Sequence, residues 1–242
     1  MKAVLTPRWI AAHVVVVVIA VVFINLGFWQ LRRLDERRLE NAVAESRYSA
    51  PPEELSALLA AAGGDLESLR YRRAVVTGTY DVAHELLTRN QVYREQAGFH
   101  VVTPLAVDGG AVLVNRGWVP LALDSPPIEE AAPEPGEVTV TGWVNPTQTR
   151  PALGPTDPAD GVLDVMNRIN IDRIQDQVPY GLAPVYVVLE GEEGSELPVP
   201  LPPPEFEDEG SHLAYTIQWF GFTLIGVVGY GFLLRKSVSL KT

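Results

Sequence analysis

Two long uncharged stretches constrain this chain more than any other feature. Residues 10–29 contain no charge and only His13 and Asn25 as sizeable polar side chains, and residues 213–234 are likewise uncharged. At ~1.5 Å per helical residue, either stretch reaches the ~30 Å of a bilayer's hydrocarbon core. The sequence therefore predicts a two-span membrane protein. The first stretch exceeds the ~7–15 residues of a signal peptide's apolar region and lacks a small-residue cleavage site. It ends in Gly27-Phe28-Trp29-Gln30 followed by arginines, and it reads as a retained transmembrane helix.

Charge is divided as sharply. All 30 acidic residues and 14 of the arginines lie in 30–212, whereas the ends hold Lys2, Arg8, Arg235, Lys236 and Lys241 and no acid. An acidic middle argues against nucleic acid as a partner, because phosphate binding needs a basic face. With no cysteine, disulfides, thiolate metal sites, thioredoxin-like redox chemistry and thiol-ligated copper relay are excluded. Basic residues follow the second stretch and are missing from the twenty residues before it, which places the C-terminus in the cytoplasm. An even number of spans puts both termini there.

Arg32, Arg33, Arg37 and Arg38 oppose that orientation, but Asp35 and Glu36 lie among them, and arginines at a helix exit snorkel to lipid headgroups. The predicted organisation is a cytoplasmic N-terminus at 1–9, spans at 10–29 and 213–234, an extracytoplasmic β-rich domain at 30–212, and a cytoplasmic C-terminus at 235–242.

From about Asn41 onward the pattern becomes short β-rich runs punctuated by Gly and Pro. A short helix is predicted at 53–62, and strands at 70–80, 85–90, 99–107, 111–119, 137–145 and 184–190. Asp108-Gly109-Gly110 marks a hairpin between two of these runs. Gly78, Gly117 and Gly142 each sit beside a large aromatic inside a β run, and such glycines mark bends or close backbone approach. Residues 165–178, with Ile169, Ile171 and Ile174 spaced between charges, predict a helix covering one end of the sheet, and 124–136 and 191–210 read as linkers. The expected fold is a membrane α+β protein: two transmembrane helices flanking an external antiparallel β-sheet or small β-barrel with one or two short helices.

Candidate functional residues are few. At 100° per residue, His212, Tyr215, Trp219, Phe222, Gly226 and Tyr230 share one face of the second helix, while Leu213, Ile217, Phe220, Leu224 and Val228 occupy the other. The first face offers an imidazole, aromatic rings and a glycine; the second suits lipid. His13 lies at the opposite end of its helix from that imidazole, ~25 Å or more along the membrane normal, so the two cannot reach one iron. It reads as a helix-packing residue, and His84 and His100 as surface or core-satisfied. Strict alternation would put Val112, Val114, Arg116 and Trp118 on one face of a strand, making Asn115, Arg116 and Trp118 candidates for an external contact surface; the alternative is a buried arginine paired with a carboxylate. Trp29, Gln30 and Arg32, at the exit of the first helix, complete the candidate partner contacts. No Gly-x-Ser-x-Gly, His-Glu-x-x-His or phosphate loop is present, and the chain is not expected to be an enzyme.

Four segments, in order, resemble the surfeit locus protein family: LGFWQLRRL at 26–34, GFHVVTPL at 98–105, VLVNRGWVP at 112–120 and HLAYTIQWF at 212–220. With 16 arginines against 3 lysines, the composition looks like that of a bacterial, actinobacterial-type member. The resemblance covers essentially the whole chain and implies a membrane factor for cytochrome c oxidase biogenesis, with the oxidase core subunit, other respiratory-chain subunits and the lipid bilayer as partners. It also implies contact with haem a through the histidine that opens the second helix, here His212, with Tyr215 and Trp219 as further cofactor contacts. Met166 and Asn167 depart from relatives that carry an aromatic before the Ile-Asp pair. A structural accessory subunit of a mature oxidase or supercomplex is the competing reading.

Overall fold

The computed structural model describes residues 6–149, 155–191, 194, 196–206 and 209–239. Lys2, Lys241 and part of the predicted 191–210 linker lie outside the described residues. The chain divides into two compact units, one formed by the described parts of Met1–Val43 and Phe206–Thr242 and the other by Ala44–Glu205.

The first unit consists of two helices. Helix α1 spans Pro7–Tyr48, its last turn belonging to the second unit, and α4 spans His212–Ser239. Both are long and apolar enough to cross a membrane. Valine and isoleucine are indifferent helix formers in water, but in an apolar medium a helix satisfies its backbone internally. Val17, Ile225 and Leu224 are 60–70% exposed, so the chain itself does not cover this apolar surface. The helices run antiparallel, with contacts from His13–Tyr230 through Phe23–Trp219 to Phe28–Phe220. Phe220, expected on the lipid side, instead packs against α1: a side chain at Gly27 would lie 2.8 Å from its ring. Helix α1 also overruns the predicted start of the β-rich region at Asn41. Its Ala- and Glu-rich 40–48 sequence favours helix, and termination comes just ahead of Pro51-Pro52, which disfavour helical geometry in the preceding residue.

The second unit is a barrel. Its strands are β1 (Glu53–Glu54), β2 (Arg73–Tyr80), β3 (Leu86–Tyr93), β4 (Gln96–Val107), β5 (Gly110–Pro120), β6 (Glu137–Pro146), β7 (Val165–Met166) and β8 (Leu182–Leu189). The order β2-β6-β8-β5-β4 closes through Thr79 and Tyr80 of β2 pairing with Ala106 and Leu105 of β4. β3 flanks β4, with β7 beyond it, and β1 flanks β2. The predicted hairpin is present, with Val107 opposite Gly110.

The sheet is mixed rather than antiparallel, since β5–β8, β1–β2 and β3–β7 are parallel. For the ring, the reason is arithmetic: strands cannot alternate direction around a closed ring of odd number, so one neighbouring pair must run parallel. Closure also explains the strand glycines. A side chain at Gly78 would lie 2.2 Å from the Ala106 carbonyl oxygen, at the seam where β2 meets β4. Gly117, at φ +133°, sits in a β5 bulge with the Val199 carbonyl against it.

Ala74, Val76, Leu105, Val112, Val114, Val140, Val144, Val185 and Val187 form one buried cluster. These positions alternate along the strands and fill the barrel interior, while α2 (Leu55–Ala62) adds Leu55 and Leu58. The opposite face buries Leu86, Val102, Leu113, Trp143 and Tyr186 beneath the 165–178 segment. That segment is not one helix. Val165 and Met166 pair with β3, and only Ile171–Gln175 (α3) is helical, capped by the Asn170 side chain accepting from the Arg173 N–H. The three isoleucines are nonetheless buried as their spacing implies. The 124–136 segment also does more than link: Ile128 and Ala131 are buried against Leu87 and Phe99.

Candidate functional site

The arginine and indole proposed for external contact lie inside the barrel unit. β5 shifts register against β4 between its Asn115 and Gly117 pairings, leaving Arg116 as the extra residue, and this bulge breaks the alternation. The Arg116 guanidinium turns over the Tyr80 ring at 5.3 Å and donates to Glu85 at 3.2 Å and to the Ala131 carbonyl. Trp118 goes elsewhere, against Tyr93. Glu85 is nearly fully enclosed and also accepts from the Thr103 hydroxyl at 2.7 Å and the Ile128 N–H at 2.9 Å. Burial lowers the Arg116 pKa, opposed by Glu85, and burial pushes the Tyr80 phenol up to about 12. This is a saturated polar network that fastens the 124–136 segment to the barrel.

The two histidines of this unit each engage a neighbour through Nδ1. His84 bonds Asp81 at 2.6 Å, and the Tyr180 hydroxyl donates to the same carboxylate oxygen. Burial works against ionisation of Asp81, but those two hydrogen bonds hold its carboxyl below the usual range. His100 contacts the Asn115 amide at 3.2 Å, and burial depresses its pKa to about 4. A groove of about 520 Å³ is lined by Tyr48, Arg73, Trp143 and Glu190, but its charges saturate each other through a bidentate Arg73–Glu190 pair.

The helix pair is different. Gly27, Gln30 and Leu34 are the buried residues of α1, spaced as one helical stripe, and Thr216 is the buried residue of α4. Gln30 meets His212 there, with Oε1 2.8 Å from Nδ1. The Thr216 hydroxyl donates to the His212 carbonyl at 2.9 Å. His212 also borders a recess of about 260 Å³ whose other lining residues are Arg33, Glu36, Arg37, Glu40, Glu209 and Gly210. Arg38 and Glu209 form a bidentate pair beside it, at 2.7 and 2.9 Å. The sequence placed Gln30 among the partner contacts; the signal for its actual neighbour was a lone amide at the end of an apolar helix, four residues before a buried leucine.

Tyr215 and Trp219 do not join that recess. Tyr215 is 46% exposed, and Trp219 packs on Phe23 and Phe222. Trp29 and Arg32 are exposed on α1. His13, at the far end of the pair, accepts from or donates to the Tyr230 hydroxyl at 2.7 Å, in keeping with a packing role.

Comparison with known proteins covers nearly all of this architecture. The model of the SURF1 family matches residues 17–224. An uncharacterized SURF1-like protein of Mycobacterium tuberculosis is 32% identical over 98% of this chain and 87% of its own length. SURF1-like proteins of Rickettsia felis and Caenorhabditis elegans are 25% and 26% identical, over 94% and 95% of this chain and 99% and 76% of their own lengths. With most of α1, the whole β-rich unit and the start of α4 inside the matched span, the chain belongs to the SURF1 family, a family of oxidase assembly factors rather than of enzymes.

Proposed function

We propose that this protein is a non-catalytic assembly factor of the cell membrane that assists haem a insertion into, or maturation of, the core subunit of cytochrome c oxidase. Both termini face the cytoplasm and the barrel lies outside. His212 is the group that touches the haem. The observation that carries the reading is an imidazole bonded through Nδ1 to Gln30 where the paired apolar helices end, beside a recess lined by two arginines and three glutamates.

The donor set fits a haem only at the imidazole, which offers a nitrogen lone pair when neutral; Arg33 and Arg37 already pair with Glu36 and Glu40, and Glu209 lines the same recess. When bound, the group would supply an iron that an imidazole nitrogen can ligate. His212 would hold it. The recess does not enclose a macrocycle, because about 260 Å³ falls below the roughly 300–1,000 Å³ of enclosing pockets and its lining is largely charged. An open, one-sided ligand suits a factor that passes its cargo on. Exposed apolar helix surface favours the bilayer as its surroundings.

Deletion of the gene tests this reading. The expected result is oxidase whose subunits are present but short of haem a, with the factor itself substoichiometric in purified oxidase. Equal stoichiometry with active oxidase and intact haem on deletion would identify a structural accessory subunit instead.

A further inference from the structure

We infer that the face of α1 turned away from α4 is a seam for a second copy of this chain, fastened by Asn25. Helix α1 carries two stripes with the same alternating spacing of three and four residues. One, through His13, Val16, Ala20, Phe23, Gly27 and Gln30, is spent on α4: His13 meets Tyr230, Phe23 meets Trp219, and Gly27 admits the Phe220 ring. The other runs through Val14, Val18, Val21, Asn25, Phe28 and Arg32. It lies two residues on, about 200° of helical rotation from the first, and so faces away from α4. All six of its residues are exposed.

Asn25 is the polar group that lipid cannot satisfy. Its amide donates one hydrogen to the Val21 carbonyl at 2.7 Å, and among the described residues its second N–H and its Oδ1 have no partner. An amide left this way in hydrocarbon is costly, and acyl chains offer it nothing. A second copy does. Two copies inserted in one orientation pack α1 against α1 in parallel, and a two-fold axis along the membrane normal sets each residue against its own counterpart. Asn25 then meets Asn25, and an amide is donor and acceptor at once. One asparagine in a three-four apolar seam is the device that fixes register in parallel helix dimers. The charges at the helix exit agree. Arg33, Arg37 and Arg38 each pair with a glutamate, whereas Arg32 and the next residue of the stripe, Asp35, enter no ion pair among the described residues. Across the two-fold, Arg32 of one copy lies one layer from Asp35 of the other, giving two opposite-charge pairs.

The inference rests on both helices spanning a bilayer, as in the proposed function, and is independent of haem. The chain has no cysteine, so single introduced cysteines report contacts directly. Two differently tagged copies of the full chain are expressed together, and their membranes are oxidised with copper phenanthroline. Val18→Cys, Val21→Cys and Phe28→Cys should give disulfide-linked dimers that carry both tags, and Ala20→Cys, on the α4 side, should not. In detergent micelles, Asn25→Leu should weaken self-association by about 3–30-fold in sedimentation equilibrium. Asn25→Gln, which keeps donor and acceptor, should retain it. Equal adducts from Val21→Cys and Ala20→Cys, a monomeric wild type, or an Asn25→Leu protein that associates like wild type would overturn the inference. Adducts of Val21→Cys with another protein, without a two-tag species, would overturn the second copy as the occupant. Release of the wild type from membranes by alkaline carbonate would sink the bilayer placement itself, whereas an integral protein without these adducts would sink the dimer alone.

Discussion

The two units treat polar groups in opposite ways. In the barrel, the buried Glu85–Arg116 pair is saturated: Glu85 accepts from Arg116, Thr103 and the Ile128 backbone, and Arg116 also reaches the Ala131 carbonyl. In the helix pair few side chains are buried, the apolar surface is left uncovered, and His212 spends one ring nitrogen on Gln30 while the recess adjoins its ring. A closed network stabilises and specifies a fold, whereas the His212 imidazole lies at the rim of a thin interface, where the proposed function places the haem contact.

Breaking the barrel network should give the largest effect. Glu85→Ala leaves the Arg116 charge buried and unpaired and is expected to cost the barrel about 3–5 kcal/mol, read as a lowered urea midpoint by tryptophan fluorescence. The helix pair should keep its helicity. Next comes acid. Burial holds His100 at about 4 against an ordinary 6.5, so the unfolded chain takes up the proton first. Barrel stability is full above pH 6.5 and falls as the pH drops toward 4, by up to about 3 kcal/mol. His100→Gln should flatten that part of the profile in unfolding series run at stepped pH. Gly78→Ala, which pushes a methyl group at the Ala106 carbonyl on the barrel seam, should cost about 1–3 kcal/mol in thermal unfolding, with the pH profile unchanged. At the small end, Arg38→Ala removes an exposed ion pair beside the recess and should leave unfolding of either unit without measurable change. A large effect there would mean that the helix pair, like the barrel, relies on its charges for stability.

How legible each unit was follows from the range of the interactions involved. Strand positions, the Asp108–Gly109 turn and the inward isoleucines at 169, 171 and 174 depend on local period and turn chemistry, and the sequence displays both. Ring closure depends on β2 meeting β4 across the fold, which no local pattern encodes, and parallel pairing follows from that closure. The β5 bulge moved Trp118 off the face of Val114 and Arg116, because a single extra residue shifts alternation by one. Gly117 beside Arg116 was its only local sign. For the site, His212 was visible as a histidine opening an apolar helix, and the family resemblance singled it out. Its pairing with Gln30 spans 182 positions and emerges only once α1 and α4 are antiparallel. Tyr215 and Trp219 shared the face of His212 by helical angle, yet the packing of Trp219 on Phe23 separates it from the recess.

The most direct test is an absorption spectrum with haem extraction, on protein purified from cells that make haem a, for wild type and His212→Ala side by side. A Soret band and extractable haem a in wild type, both lost in His212→Ala while helix content and barrel unfolding stay the same, is the predicted result. A wild-type protein without haem from such cells, or a His212→Ala protein that retains it in full, would contradict the assignment of the site.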